Sequence, residues 1–432
     1  MPTALGLFLL MLIIQGVNMK ALKPMTYIYS QAGSLVLGMD KEDFLSRAGK
    51  AKGMGITGLI SVANTISDAD DKAMAYQAIA MLNDALTKGI VNQPIFLDWC
   101  SSGVSILSAL TRDMTGMNSC GVFGSKPGNL YQIITNSLNR ELNEEFTRSY
   151  VKSFTIPFYY GGDLNVKEAL GDHAEYFHAV YSKLLPGAYA FRQITTDSWD
   201  ETAISYDWEC ADGYQVSVPV LKDSKECTVS FKGHSYKCNF KVQGTRATMC
   251  ESSNGYYRNN HTKGLGANLT HSQDALILRE MVGMAHLTRQ KALDILVRAT
   301  VETGDFITNE EPGLLGRLLA DWKDTNFPSV RWFEVLKECL GLRLPDTLKA
   351  QLVQLANRLP EQAFDVICIH DEFGCLPKFV NDMRRNANTI YANLYRSNIM
   401  QYFNKKFSMN VPVGEFSQDI YDQLLEVDYL LS

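Results

Sequence analysis

The sequence predicts an α+β protein that is mostly helical, and three observations carry that expectation. Residues 40–90, 126–185 and 272–360 have the apolar spacing or polar faces of helices. Two short apolar runs, Ile95-Phe96-Leu97 and Phe364 to Ile369, read as buried strands that lead into an aspartate, Asp98 and Asp371. Residues 205–260 change character. Trp208-x3-Asp212-Gly213-Tyr214-x-Val216, Cys227-Thr-Val-Ser-Phe-Lys-Gly and Tyr236-Lys-Cys-Asn-Phe-Lys-Val alternate like strands with glycine turns.

Each element follows in order. Ala4 to Val17 is almost wholly apolar. It is too short for a membrane span, and it lacks the basic lead and small-residue cleavage site of a secretory signal. It reads as a buried or partner-facing helix, or as a mis-called start with translation beginning at Met19; no stable membrane insertion is expected. Residues 25–37 read as a short strand or hairpin. Asp40 is the candidate cap of the helices over 40–90, of which 70–88 is amphipathic. A strand from about 93 to 98 follows, and the chain turns helical from Ser102. Beyond the β-rich region come leucine-periodic helices, the strand at 364–369, and helix up to the last residues. No internal repeat or low-complexity linker interrupts the chain.

Composition sets limits. The 432 residues, 46% hydrophobic and 20% charged, suit a globular chain of several subdomains. A formal net charge of −6 argues against a simple nucleic-acid binder, although a cleft can be locally basic. The nine cysteines are scattered, odd in number and without a Cys-x-x-Cys pair, which favours reduced thiols in a cytosol. Cys210, Cys227, Cys238 and Cys250, with His234 and His261, lack the tight pairs that zinc sites use.

Two short motifs carry chemistry. Asp98 stands in Leu97-Asp98-Trp99-Cys100-Ser101-Ser102-Gly103, and Asp371 in Ile369-His370-Asp371-Glu372-Phe373-Gly374. Between them runs Arg148-x3-Lys152-x7-Tyr160-Gly161. Taken singly, each has a plain reading: a strand-end aspartate capping a helix, a turn after a strand, and a solvated helix face, since Arg148 and Lys152 stand four apart. Taken in this order they form a specific set. Magnesium takes carboxylate oxygens, and a pair of such ions serves phosphoryl displacement. A basic helix between two carboxylates suits a triphosphate.

These residues resemble motifs A, B and C of the right-hand polymerases, which include family A DNA polymerases and the single-subunit phage and mitochondrial RNA polymerases. Several features resemble the RNA enzymes. The DNA enzymes usually carry a glutamate five residues after the first aspartate, blocking the ribose 2′-OH; here that position is Gly103, which is expected to leave room. Asn268-x-x-His271-Ser272-Gln273-Asp274, followed by Arg279, resembles the segment whose histidine recognises ribose with the motif B tyrosine. His-Asp-Glu at 370–372 leans instead toward the DNA enzymes. Trp208-x3-Asp-Gly-Tyr-x-Val resembles the strand after the fingers, Tyr131 a fingers tyrosine near the nucleotide, and Leu425 to Ser432 the carboxy-terminal foot near the active site.

The resemblance covers roughly 90–290 and 361–432. It implies a right-hand fold with palm and fingers that lacks the amino-terminal domain and most of the thumb. It divides the chain into an apolar segment (1–24), palm with motif A (25–125), fingers (126–204), a β-rich segment in place of a promoter-reading hairpin (205–267), a ribose-recognising helix (268–287), a helical insertion (288–360), and palm with motif C and foot (361–432). No Asp- or Thr-x-x-Gly-Arg motif precedes Asp98. The chain therefore looks like the large subunit of a split, two-subunit podophage RNA polymerase, with a small partner supplying that arginine.

The implied roles are specific. Asp98 and Asp371 bind two Mg²⁺. Lys152 and Arg148 neutralise the triphosphate, while Tyr160 and His271 select ribose. Gly161 permits a tight turn, and His370 and Glu372 hold the primer end or shape the motif C turn. Lys232, Lys237, Lys241 and Arg246 are candidates for DNA contacts, beside the plain reading of a solvated hairpin. The implied partners are a DNA template, RNA product, NTPs, the small subunit, and a single-stranded-DNA-binding or recruiting factor, in the cytoplasm of an infected bacterial host. A DNA polymerase of the same fold and a non-catalytic assembly subunit are the alternatives.

Overall fold

The computed structural model describes residues 19–89, 91–200, 203, 205–219, 224–232, 234–241 and 264–432. The apolar run Ala4–Val17, Arg246, Cys250 and His261 lie outside the described residues. The fold is mostly helical α+β, with a few short strands.

The first described helix corrects an expectation. Pro24–Leu37 is an α-helix (α1), where a short strand or hairpin was expected over 25–37. Pro24 occupies the first turn, where its missing N–H costs nothing, and Gly38 closes the helix at φ 64°. Tyr27, Ile28, Ala32 and Val36 are buried, and tertiary packing outweighs local propensity. The next helix, α2 (Phe44–Thr65), is capped by Asp43, not Asp40: its carboxylate accepts from the N–H groups of Leu45 and Ser46. Helix α3 (Ala69–Lys88) is capped by Asp68 in the same way. Helices α1, α2 and α3 pack on one another.

Strand β1 (Ile95–Asp98) leads into α4 (Ser102–Leu110), buried from Gly103 onward. Six helices follow: α5 (Met114–Cys120), α6 (Leu130–Leu142), α7 (Arg148–Tyr159), α8 (Asp163–Leu170), α9 (Ala174–Leu184) and α10 (Pro186–Asp197). Two antiparallel hairpins come next, β2 (Ser205–Glu209) with β3 (Gln215–Pro219), and β4 (Ser224–Phe231) with β5 (His234–Lys241). The expected alternation of strands and turns therefore holds as far as Lys241.

Helix α11 (Leu265–His286) packs against α4 and against α16 (Val380–Arg396) near the end of the chain. The stretch between them holds α12 (Arg289–Ala299), α13 (Leu314–Thr325), α14 (Arg331–Leu336) and α15 (Asp346–Arg358), then β6 (Ile367–Ile369) and β7 (Glu372–Cys375). Helices α17 (Ile399–Lys406) and α18 (Gln418–Leu424) finish the chain. Among the described residues no helix is long and apolar enough to cross a membrane.

The three-stranded sheet has the order β1-β7-β6, antiparallel throughout. Asp98 pairs with Glu372 and Leu97 with Phe373. The run at 364–369 was expected to be a buried strand. It is an edge strand, with Ile367 47% and Ile369 49% exposed, because only β7 flanks it. Phe364, by contrast, is buried against Phe379.

On the other side of β1 lie the last residues. Ser432 N–H donates to the Asp98 carbonyl (3.0 Å), Asp98 N–H to the Ser432 carbonyl (3.3 Å), and Cys100 N–H to the Leu430 carbonyl (2.8 Å). The approach to that segment is pinned by two arginines, Arg384 buried and Arg358 half-buried. Arg384 donates to the Asp428 carbonyl (2.6 Å) and the Tyr27 hydroxyl (2.6 Å). Arg358 holds the Leu425 carbonyl (2.6 Å) and the Glu426 carboxylate (2.8 Å).

Candidate active site

Asp98 and Asp371 meet at one end of the three-stranded sheet. Burial of Ile95 and Leu97 fixes the face of β1 and brings Asp98 to the exposed strand end. Asp371 sits in the two-residue turn between β6 and β7. His370, the other turn residue, has φ 56°, an uncommon conformation for a residue with a Cβ. The turn is tied to β1 by Trp99 N–H donating to the Asp371 carbonyl at 3.0 Å. Trp99 is buried, and its indole N–H donates to the Ser105 hydroxyl at 3.2 Å.

The electrostatics are those of neighbouring carboxylates that repel one another. Burial raises the Asp98 pKa, and the Asp371 charge raises it further; Lys41 and Lys152 act the other way. Glu372 is raised by burial and by both aspartates. Asp274 is pushed up to about 7, by burial first and then by Asp371. Like charges gathered in a half-buried place favour whatever cation can enter.

The basic helix reaches the same place. Thr147 caps α7, its hydroxyl accepting from Tyr150 N–H at 3.3 Å. Arg148 and Lys152 flank the Tyr131 ring, 5.8 and 5.6 Å from its centroid, a cation–π arrangement. Arg148 Nε donates to Asn129 at 2.9 Å, which orients the guanidinium. Burial pushes the Tyr131 hydroxyl up to about 12.

Tyr160 closes α7, and Gly161 follows at φ 101°, a backbone conformation that disfavours other residues. The Tyr160 and His271 rings meet edge to face at 4.9 Å. Burial, with Asp274 and Asp371 nearby, pushes the Tyr160 hydroxyl up to about 12, so it stays a donor at neutral pH. Burial also lowers the His271 pKa, which favours the neutral ring with one donor and one acceptor nitrogen.

Gly103 has a different surrounding from the open space expected. A Cβ there would lie 2.6 Å from the Tyr159 ring, so the missing side chain makes room for a neighbour inside the protein. Gly103→Ala should therefore lower stability by about 1–3 kcal/mol, the usual cost of overpacking. Denaturant unfolding checks this, and an unchanged midpoint would contradict the packing described.

The structure thus brings Asp98, Asp371, His370, Lys152, Arg148, Tyr131, Tyr160, Gly161 and His271 into one neighbourhood. It adds two groups that sequence reasoning passed over. Asp274 was visible as part of the His271 motif: three residues further on, it shares a helix face. Lys41 lies before α2, far away in sequence, and no local signal marks it. For Lys237 and Lys241 only the backbone is described, on β5.

Among the described residues, no group of three or more His, Cys, Asp or Glu side chains gathers closely enough to hold a metal by itself. Asp98 and Asp371 offer carboxylate oxygens, the donor type that magnesium takes in ones or twos together with water and substrate phosphates. The cavity under β1, about 110 Å³, is lined by Asp98, Glu372 and Ser432 among others; a larger one of about 580 Å³ lies elsewhere, beside α11. No family model matches the chain, and no curated protein matches it.

Proposed function

We propose that this chain is the catalytic subunit of a DNA-directed RNA polymerase with a right-hand arrangement. In this reading β1, β6, β7 and their helices form the palm, and α6 to α10 form the fingers. The observation that carries the reading is the joining of Asp98 and the Asp371 turn across β1 and β7, with Lys152 close enough to act on the Asp98 charge. Two carboxylates and a cation of this kind suit in-line transfer of a nucleotidyl group.

Asp98 and Asp371 would hold the Mg²⁺ ions. Bound there, the metals would make the RNA 3′-OH a better nucleophile and stabilise the pyrophosphate leaving group. Lys152 and Arg148 bind and orient the triphosphate, from a helix whose direction Thr147 and Asn129 fix. Both cations lie near the Tyr131 ring, which limits their freedom. Tyr160 donates from a hydroxyl that stays protonated, and His271 orients its ring.

The ribose test follows from this pair. A site that hydrogen-bonds a hydroxyl penalises its absence. Tyr160→Phe and His271→Ala should each lower the NTP-over-dNTP preference about tenfold or more, with little change in total incorporation. Competition between labelled NTPs and dNTPs on one primed template reads this, and an unchanged preference in both variants would sink the ribose role.

Two observations favour a second reading, DNA synthesis at the same site. Glu372 completes His-Asp-Glu, and Tyr159 fills the space at Gly103, which is one of the two grounds for ribose acceptance beside the His271 motif. The same competition decides: a wild-type preference for dNTPs selects DNA synthesis.

A further inference from the structure

The cavity of about 580 Å³ lies at the far half of α11, between it, the β2–β3 turn, α12 and α14. His271 and Gly283 are twelve residues apart on this helix, about 18 Å at the rise of an α-helix. The cavity is therefore separate from the carboxylate cluster, and the proposed activity leaves it without a use.

Its walls are built from distant segments. Asp212, in the β2–β3 turn, is buried and accepts two hydrogen bonds from Arg279, Nε on one oxygen and Nη2 on the other at 3.0 Å. The Asp212 carbonyl accepts from Arg331 at 2.8 Å. The turn is thereby fixed to both α11 and α14, and the Tyr214 ring is held 4.5 Å from the Arg279 guanidinium. Tyr214 is 53% exposed, so one aromatic surface remains open to a ligand.

The charges on the walls do not cancel. Asp212 is matched by Arg279, and Glu334 lies 3.7 Å from Arg331. Glu280 is fully buried, bonded to the Ser329 hydroxyl and to Val330 N–H, and burial pushes it up to about 8, so it is mostly uncharged at neutral pH. Lys291 and Lys337 remain, both exposed at the rim, with Lys337 only 4.0 Å from Glu338 outside the cavity. The result is a pocket of ligand size, with an apolar floor, an open aromatic ring on an arginine, and two cations at its edge.

We propose that this pocket is a second, non-catalytic nucleotide site. Phosphate is held at Lys291 and Lys337, and a base lies against Tyr214. Aromatic stacking beside a basic rim is the chemistry that holds nucleotides without regard to sequence. The nucleotide is either free or one unit of a single strand, and both offer the same phosphate and base. The inference does not depend on polymerase activity, because the pocket shares no residue with the carboxylate site.

The test uses the full chain in EDTA, which removes divalent metal from the proposed catalytic centre. Fluorescence anisotropy is measured with two probes, a fluorescent ATP analogue and a fluorescein-labelled thymidine 15-mer. The proteins are wild type, Lys291→Glu/Lys337→Glu, Tyr214→Ala and, as a control for the loss of surface positive charge, Lys88→Glu, an exposed lysine at the end of α3. The double variant and Tyr214→Ala should each weaken binding about tenfold or more, with Lys88→Glu close to wild type. Loss with the ATP analogue identifies a free-nucleotide site; loss with the 15-mer alone identifies a strand site. Equal binding of both probes by wild type and the pocket variants would overturn the proposal. So would wild-type protein that binds neither probe but takes up an acidic peptide.

Discussion

Asp98→Asn and Asp371→Asn should each reduce nucleotide incorporation at least about a thousandfold while leaving the fold intact. The electrostatics give the sign of the stability change as well. Asp98 is raised by burial and by Asp371, so its charge is a cost that the folded protein carries. Removing that charge should leave the unfolding midpoint unchanged or higher. A structural aspartate, such as the Asp43 cap, would behave the opposite way: its carboxylate accepts hydrogen bonds and its pKa is lowered. The pattern of lost activity with retained or increased stability is therefore diagnostic. Thermal melts and incorporation assays on the same preparations read both, and either variant retaining near wild-type activity contradicts the metal assignment.

Removing Leu430, Leu431 and Ser432 should have the largest effect on stability. The two leucines are each 1% exposed, and truncating a buried leucine costs about 2–5 kcal/mol. The deletion also leaves the N–H groups of Asp98 and Cys100 without the carbonyls they now use. Together these losses are comparable to the whole stability of an ordinary domain, about 5–15 kcal/mol. The shortened chain should melt far below the full one or fail to accumulate. Leu431→Ala is the milder version, expected to fold with a loss of about 2–5 kcal/mol in denaturant titration. Unchanged midpoints in both would show that the segment beside β1 contributes nothing.

The site was more legible than the scaffold that presents it. Asp98 and Asp371 could be read because an apolar run ending in aspartate fixes a strand and its exposed end together, and the sheet joins the two ends. The spacing Arg148-x3-Lys152 places both on one side of a helix, and Tyr131 lies against both. Helix α1 was misread because Thr26, Tyr27, Ile28 and Tyr29 look like a strand in isolation; Pro24 and Gly38 were the helix signals present. The approach of Lys41 to Asp98 and of Tyr159 to Gly103 depends on packing between elements far apart in sequence, which local patterns do not encode. The same holds for β6, whose exposure follows from its place at the sheet edge.

The most direct test of the central claim is primer extension by the complex recovered through a tag on this chain from the cells that naturally make it. A partner that completes the site then comes along. An RNA primer on a single-stranded DNA template is supplied with Mg²⁺ and either NTPs or dNTPs, and the Asp371→Asn complex is run beside it. The account predicts template-directed extension with NTPs that needs Mg²⁺ and disappears in the variant. Absence of NTP extension by the wild-type complex, or equal extension by the variant, would contradict it.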